Sequence, residues 1–95
     1  MRLTEAITIR NTTFKNRVMF PPLTTGYEDR NGTITEQDIA FYTRLAEGGA
    51  GYIVIGDVAP IQNFTPTPRL FDDAQIESFR KLADSVHVYG AKLGI

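Results

Sequence analysis

The chain has 95 residues, of which 42% are hydrophobic and 22% charged, and this composition is that of one ordinary globular domain at most. Its ten basic and eleven acidic residues are too balanced and too scattered to attract nucleic acid or an anionic membrane. Because cysteine is absent and no apolar run approaches the ~20 residues that span a bilayer, we expect a cytoplasmic protein without a metal site and without nucleic-acid or membrane partners.

The first elements in chain order are a small hairpin and a short core strand. Residues 7–10 alternate apolar and polar side chains as a half-buried strand does, Asn11-Thr12 is the predicted turn, and residues 13–15 form the returning arm. The apolar run 17–20 then ends at Pro21-Pro22, since proline lacks the amide proton that a sheet requires. A buried strand is therefore predicted to end at this pair.

A loop over residues 21–34 leads to the first helix. Thr35 is the predicted N-cap, because acidic residues follow it in the first turn. Gly48-Gly49 end the helix, since glycine adopts the left-handed conformation that closes a helix. The predicted buried face consists of Ile39, Tyr42, Leu45 and Ala46.

A central strand and a second loop come next. Residues 51–55 are apolar on both faces, which is typical of a central parallel strand. The loop over residues 56–72 has no helical or strand pattern, and unpatterned loops of this length often serve as lids or binding segments.

The last predicted elements are a second helix and a third strand. Asp72 or Asp73 caps the helix, Gly90 closes it, and residues 91–95 begin the strand. The predicted buried stripe of this helix consists of Ile76, Phe79, Leu82, Ala83 and Val86.

This order predicts an α/β fold in which a hairpin precedes β-α-β-α-β. Strands separated by helices are joined by right-handed crossovers and form a parallel sheet. A parallel strand is stable when helices cover it or a barrel closes around it, and the third strand has neither. We therefore expect residues 1–95 to be one segment of a larger domain.

Two places after predicted strands are candidate ligand contacts. Pro21 and Pro22 hold the backbone of Leu23 and Thr24 in a fixed direction, and the threonine adds a hydroxyl, which together suit the edge of a flat heteroaromatic ring. Gly56-Asp57 allows a ligand to approach the backbone closely, and Asp57 either bonds the ligand or caps the turn. On spacing alone, an ordinary turn with polar residues explains the proline segment better than a ligand contact does, and at Asp57 the two explanations are equally good.

No catalytic residue is predicted. His87, the only histidine, lies late in the second helix, and no acid–base partner for it is apparent, so we expect a surface residue. The glycine-rich run 48–51 ends a helix and precedes a strand, which is the reverse of the order in a phosphate-binding loop.

Three segments in chain order carry the motifs of a known family. Residues 14–25 (FKNRVMFPPLTT) are similar to an LKNRxxMxPMT opening, residues 42–51 (YTRLAEGGAG) to YxxRAxGGxGLI, and residues 79–92 to a second helix and third strand. In this combination the chain resembles the old yellow enzyme family of NAD(P)H:flavin oxidoreductases over nearly its whole length.

The resemblance implies the N-terminal portion of an FMN-binding (β/α)₈ TIM barrel, with the hairpin closing the barrel's bottom. It implies that Pro21, Pro22, Leu23 and Thr24 line the flavin. The Thr24 hydroxyl would then lie by the N5/C4 carbonyl edge, where a hydrogen bond stabilises the reduced, anionic ring. Gly56 and Asp57 would contact the ring through their backbone, although a Gly-Asp pair departs from the small residues usual there. Tyr27 would be a substrate-pocket residue, one position later than in relatives.

The activity that the resemblance implies is hydride transfer from NAD(P)H through FMN to a small molecule with an activated alkene. The family's other flavin, substrate, proton-donor and phosphate residues come after position 95, so the isolated chain is expected to be inactive and to bind FMN weakly. The expected partners of this segment are the small-molecule substrate and the rest of the barrel or a homo-oligomer. Two alternatives stay open: a stand-alone, non-catalytic βαβαβ module derived from such a barrel, and a barrel enzyme that binds a phosphate ester without flavin.

Overall fold

The computed structural model describes residues 2–60 and 67–95 and contains a hairpin and a parallel sheet. In the hairpin, β1 (Ile7–Ile9) pairs antiparallel with β2 (Thr12–Phe14). The sheet contains β3 (Met19–Phe20), β4 (Tyr52–Val54) and β5 (Lys92–Gly94), in the order β3-β4-β5. Both pairings in the sheet are parallel, so the predicted strand order and direction are confirmed.

Two helices connect the parallel strands and pack on each other. Helix α1 (Glu36–Glu47) joins β3 to β4, and α2 (Ile76–His87), preceded by a 3₁₀ turn (Asp73–Gln75), leads to β5. No helix in the described ranges is long and apolar enough to cross a membrane. The buried apolar side chains between the helices and the sheet are Ile34, Tyr42, Ala46, Ile53, Ile55, Leu82, Val86 and Ala91.

Helix α1 begins and ends where its sequence predicts. The Thr35 hydroxyl accepts a hydrogen bond from the Asp38 amide, and the Asp38 carboxylate accepts one from the Thr35 amide, at 3.3 and 3.1 Å. This reciprocal capping box satisfies two amides that the first turn leaves unpaired, and an N-cap of this kind contributes about 1 kcal/mol. After the helix, Gly49 has a φ of 114°, which favours glycine.

Helix α2 differs from its prediction at one end. Asp72 caps the 3₁₀ turn as predicted, and Leu82 and Val86 are buried, but Ile76 is 54% exposed. Ser78 takes the inward position instead, because its hydroxyl donates to the Gln75 carbonyl and accepts from the Ile34 amide. The 3₁₀ turn therefore starts the helix with a polar contact facing the core.

The hairpin turn lies one residue earlier than predicted. Arg10-Asn11 forms it, with Arg10 at a φ of 55°, whereas the sequence predicts Asn11-Thr12. The register pairs Ile7 with Phe14, and the Phe14 ring packs edge-on against Tyr52 of β4, with ring centroids 5.1 Å apart. This contact with the parallel sheet favours the observed register.

Strand β3 is shorter and more exposed than predicted. It ends at Pro21-Pro22, as expected, but it pairs over two residues and Met19 is 52% exposed. Successive side chains of a strand point to opposite faces. Phe20 packs against Phe41 and Tyr42 of α1. Within residues 2–60 and 67–95, the face that carries Met19 has no comparable cover, so the prediction of a buried strand is wrong for this residue.

An apolar cavity of about 530 Å³ lies between the hairpin and the amino ends of β3 and β4. Phe14, Val18 and Tyr52 are among the residues that line it. Nearby, the Asn16 side chain donates to the Gly49 carbonyl at 2.7 Å. The glycine-rich run 48–51 thus serves the packing at this end of the sheet, which is opposite to the end where β3 and β4 lead into their loops.

The described ends of the second loop pair with each other. The Ala59 amide donates to the Pro68 carbonyl and the Leu70 amide to the Ala59 carbonyl, both at 2.9 Å, so Ala59 and Arg69 form a parallel bridge. The sequence predicts an unpatterned loop over residues 56–72, and this bridge is a correction to that prediction. Residues 61–66 of the predicted loop lie outside the described residues.

Candidate functional site

The predicted ligand contacts meet at one edge of the parallel sheet. Leu23 and Thr24 follow β3, Gly56 and Asp57 follow β4, and β3 and β4 are parallel neighbours. In sheets of this kind the ligand site lies beyond the carboxyl ends of the strands. Pro21 and Pro22 are exposed at this edge, and their flavin-binding role stays a prediction.

The first contact between the two loops is a close approach of backbones. A Cβ placed on Gly56 would lie 2.3 Å from the Leu23 amide nitrogen and 2.8 Å from its carbonyl carbon and oxygen. No side chain fits at that distance, because the atoms it would meet are backbone. Glycine at position 56 is therefore required by its neighbour across the sheet edge.

The second contact is a hydrogen bond between side chains. The Thr24 hydroxyl donates to the Asp57 carboxylate at 2.5 Å. Both residues continue the register in which Met19 faces Tyr52 and Phe20 faces Ile53. Asp57 has a φ of 55°, a conformation that aspartate tolerates better than most residues because its short polar side chain bonds locally.

A polar cluster lies behind this edge, between the loop after β3 and the start of α1. The Thr25 hydroxyl is 3.0 Å from both the Glu28 and the Asp38 carboxylates. Asp38 is fully buried, and the sequence explains it only as a first-turn acid. The sequence feature that could have revealed its role as a hydrogen-bond acceptor at the helix start is the Thr-x-x-Asp spacing of a capping box, which Thr35 and Asp38 have.

Burial raises the pKa of the Glu28 carboxyl above its usual 4.5, and the nearby charge of Asp38 raises it further. Burial likewise raises the pKa of the Tyr42 phenol to about 12, with the charges of Asp38 and Glu28 adding to the effect. The cluster therefore disfavours further negative charge. In the part of the chain that the structure describes, no group of three or more histidine, aspartate or glutamate side chains could hold a metal ion.

Glu28→Gln is expected to stabilise the protein at pH 7 by less than about 1 kcal/mol, because Glu28 is partly exposed and solvent screens its interactions. The folded pKa of Glu28 lies above its unfolded value. Its contribution to stability is therefore fully present below pH 4.5 and is lost as pH rises through the folded pKa. Urea unfolding at pH 7 and at pH 3.5 measures this, and the gain should disappear at the lower pH.

Glu36→Gln is the matched control, since Glu36 is an exposed carboxylate in the first turn of the same helix. It should give no gain at pH 7, because an acid there interacts favourably with the helix dipole. A loss of stability for Glu28→Gln at pH 7 would contradict a raised pKa for the Glu28 carboxyl.

Tyr27 lies at the outer side of the polar cluster. Its ring packs edge-on against Phe41 with centroids 5.9 Å apart, and its carbonyl accepts a hydrogen bond from the Thr35 hydroxyl. Tyr27 as a whole is 36% exposed. These contacts hold the loop against α1, and the substrate-pocket role of Tyr27 stays a prediction.

Arg69 is a residue whose role the sequence does not reveal. It is 2% exposed, its guanidinium donates to the Arg30 carbonyl, and its amide donates to the Gly32 carbonyl at 2.9 Å. A Cβ on Gly32 would lie 2.5 Å from the Arg69 side chain. Arg69 therefore joins the loop after β3 to the loop after β4, and no local pattern predicts a buried arginine at this position.

Comparison with known proteins matches this chain to one family and to solved structures with the same fold. The model of the NADH:flavin oxidoreductase / NADH oxidase family matches residues 2–95. The old yellow enzyme from Pichia sp. AKU4542 superposes with a TM-score of 0.85 at 26% identity, over 96% of this chain and 24% of that one. The expected fold class, the N-terminal portion of a (β/α)₈ barrel, is confirmed by this likeness.

Two relatives show how much of a longer protein the chain corresponds to. A bilirubin reductase of Mediterraneibacter gnavus is 64% identical over 95 residues, which are all of this chain and 15% of that protein. An NADH oxidase of Thermoanaerobacter brockii is 34% identical over 89 residues, which are 90% of this chain and 14% of that protein. With the family model matched over nearly its full length, the chain belongs to the NADH:flavin oxidoreductase / NADH oxidase family.

Proposed function

We propose that residues 1–95 form the N-terminal segment of an FMN-binding barrel domain in an NAD(P)H-dependent oxidoreductase that reduces activated alkenes. Bound FMN supplies hydride transfer between NAD(P)H and the acceptor. The observation that carries the proposal is the pair of contacts, Leu23 with Gly56 and Thr24 with Asp57, at the carboxyl ends of adjacent parallel strands. In barrels that edge holds the chemistry.

The residues at this edge fit a flavin by their chemistry. A flavin ring carries both hydrogen-bond donors and acceptors along one side, so its binding site needs both kinds of group. Residues 21–24 are exposed and offer backbone amides, carbonyls and one hydroxyl. Gly56 adds no side chain, which keeps the edge open to a flat ring.

Each residue at this edge has a separate task in the proposal. Pro21 and Pro22 stiffen the segment, since their φ angles are fixed by the ring. Leu23 and Gly56 hold the two loops together, and Thr24 provides the hydroxyl nearest to Asp57. Tyr27 lines the substrate side of the same loop. We assign no acid or base among these residues, and substrate protonation in this proposal falls to other parts of the protein.

The proposed acceptor is a small molecule with a conjugated carbon–carbon double bond, such as an enone. A relative at 64% identity carries the name bilirubin reductase, and bilirubin is a conjugated tetrapyrrole. We therefore include bilirubin among the acceptors to be tested. Because NAD(P)H is supplied in the cytoplasm, we propose that the protein acts there.

Purification of the full-length protein under mild conditions tests the cofactor. We expect a yellow protein with an absorbance band at ~450 nm, about one FMN per chain, and loss of the band when NADH or NADPH is added without oxygen. Reoxidation of the reduced protein by cyclohexenone and by bilirubin then tests the acceptor class.

A colourless protein that takes up no FMN on reconstitution would contradict the proposal. If that protein binds a phosphate ester, the flavin-free barrel enzyme is favoured; if it binds neither and has no NAD(P)H oxidation, the non-catalytic module is favoured. Reduction by NAD(P)H without reoxidation by either acceptor would leave the flavoprotein assignment standing and would reject the alkene as substrate.

A further inference from the structure

The hydrogen bond between Thr24 and Asp57 determines what the threonine can offer to a ligand. A hydroxyl carries one proton to donate and two lone pairs that accept. In the structure the Thr24 hydroxyl donates that proton to the Asp57 carboxylate, with 2.5 Å between the two oxygens. Thr24 therefore presents lone pairs, and no donor, to any group bound at this edge.

The backbone holds the Asp57 carboxylate in place for this bond. Gly56 allows the two loops to approach closely, because a Cβ at this position would lie 2.3 Å from the Leu23 amide nitrogen. Asp57 follows with a φ of 55°, outside the extended conformation of β4. Two independent features of the backbone thus direct this side chain toward Thr24.

The charge of the pair opposes charge on a reduced flavin. Two-electron reduction places negative charge on the ring, which a donated hydrogen bond stabilises and a nearby carboxylate destabilises. The hydrogen bond to Asp57 occupies the proton of the Thr24 hydroxyl, and the Asp57 carboxylate adds negative charge at the same edge. Both effects favour the oxidised form of the cofactor.

We infer that Asp57 is a positioning residue that holds the Thr24 proton away from the flavin and thereby lowers the reduction potential of bound FMN. This inference rests on the proposed function, since it requires FMN to bind at the edge formed by these residues. It concerns the potential of the cofactor and not the identity of the acceptor.

The experiment is a double-substitution cycle read out as the reduction potential of bound FMN, measured with reference dyes in the full-length flavoprotein. Asp57→Gly removes the charge and the acceptor together and is compatible with the φ of 55° at this position, so the Thr24 proton becomes free for the ring. At a fixed potential we expect the ratio of reduced to oxidised FMN to rise about tenfold, or ~30 mV for a two-electron couple.

The second background is Thr24→Val, which keeps the shape of threonine and removes the hydroxyl. There we expect Asp57→Gly to change the ratio by about threefold or less, since only the charge effect is left. Thr24→Ala replaces Thr24→Val if the valine protein does not retain FMN. Glu47→Gln is the charge control, because Glu47 is an exposed carboxylate at the end of α1, away from this edge, and it should leave the potential unchanged.

Three results would overturn the inference: an Asp57→Gly shift of equal size in both backgrounds, no shift in either, or a lowered potential. Each of these presupposes that the unsubstituted protein contains FMN, so the proposed function would survive them. A full-length wild-type protein that lacks the ~450 nm absorbance of bound FMN would contradict the proposed function itself, and the inference would be rejected with it.

Discussion

Gly56→Ala is expected to destabilise the folded protein by about 3 kcal/mol and to reduce the FMN content of the purified protein at least tenfold. The added methyl would lie 2.3 Å from the Leu23 amide nitrogen, so one of the two backbones has to move. That movement separates the loops after β3 and β4 and opens the Thr24–Asp57 bond. Thermal unfolding and the absorbance of bound FMN measure the two effects.

Gly48→Ala is the matched control for this substitution. Gly48 ends α1 with a right-handed φ of −72°, and a methyl there would lie 3.3 Å from the nearest atom, the Arg44 carbonyl oxygen. Alanine is the better helix former, so the change should be within about 1 kcal/mol of neutral and FMN should be retained. A Gly56→Ala protein with normal stability and full FMN would show that the two loops do not depend on this contact.

Local patterns predict helix α1 well because the relevant interactions are close in sequence. Thr35, Tyr42 and Ala46 have the predicted roles of cap and buried face. The start of α2 is predicted less well, since the polar contacts of Ser78 reach Ile34 on another part of the chain. The hairpin turn is displaced by one residue for the same reason, as the Phe14–Tyr52 contact decides the register.

In the candidate site too, local patterns predict some features, and contacts between residues far apart in the sequence determine the others. Parallel strands place Thr24 and Asp57 at one edge, which the alternation of strands and helices is enough to predict. Their hydrogen bond depends on the register of β3 against β4, which brings Met19 opposite Tyr52. No local pattern determines that register. Arg69 is buried by contacts with two loops, and a single sequence offers no sign of it.

The polar cluster behind the edge leads to the second large expected effect. Asp38 is fully buried and accepts hydrogen bonds from the Thr35 amide and the Thr25 hydroxyl, at 3.1 and 3.0 Å. Asp38→Ala removes both acceptors and leaves the Thr35 amide without a partner, whereas the Thr25 hydroxyl keeps the Glu28 carboxylate at 3.0 Å as its acceptor. The bond from the Asp38 amide to the Thr35 hydroxyl is kept, but a buried amide without a partner costs about 1–3 kcal/mol, so we expect a loss of about 2 kcal/mol.

Asp38→Asn separates the hydrogen bonds of Asp38 from its charge. The asparagine oxygen keeps one acceptor for the Thr35 amide, and the asparagine NH₂ group is able to donate to Glu28. The substitution also removes the Asp38 charge, which raises the pKa of Glu28 in the unsubstituted protein. We expect Asp38→Asn to lose less than half as much stability as Asp38→Ala, measured by urea unfolding at pH 7. Equal losses would mean that the Asp38 charge is needed, and the repulsion between the two carboxyls would then be too weak to matter at this helix start.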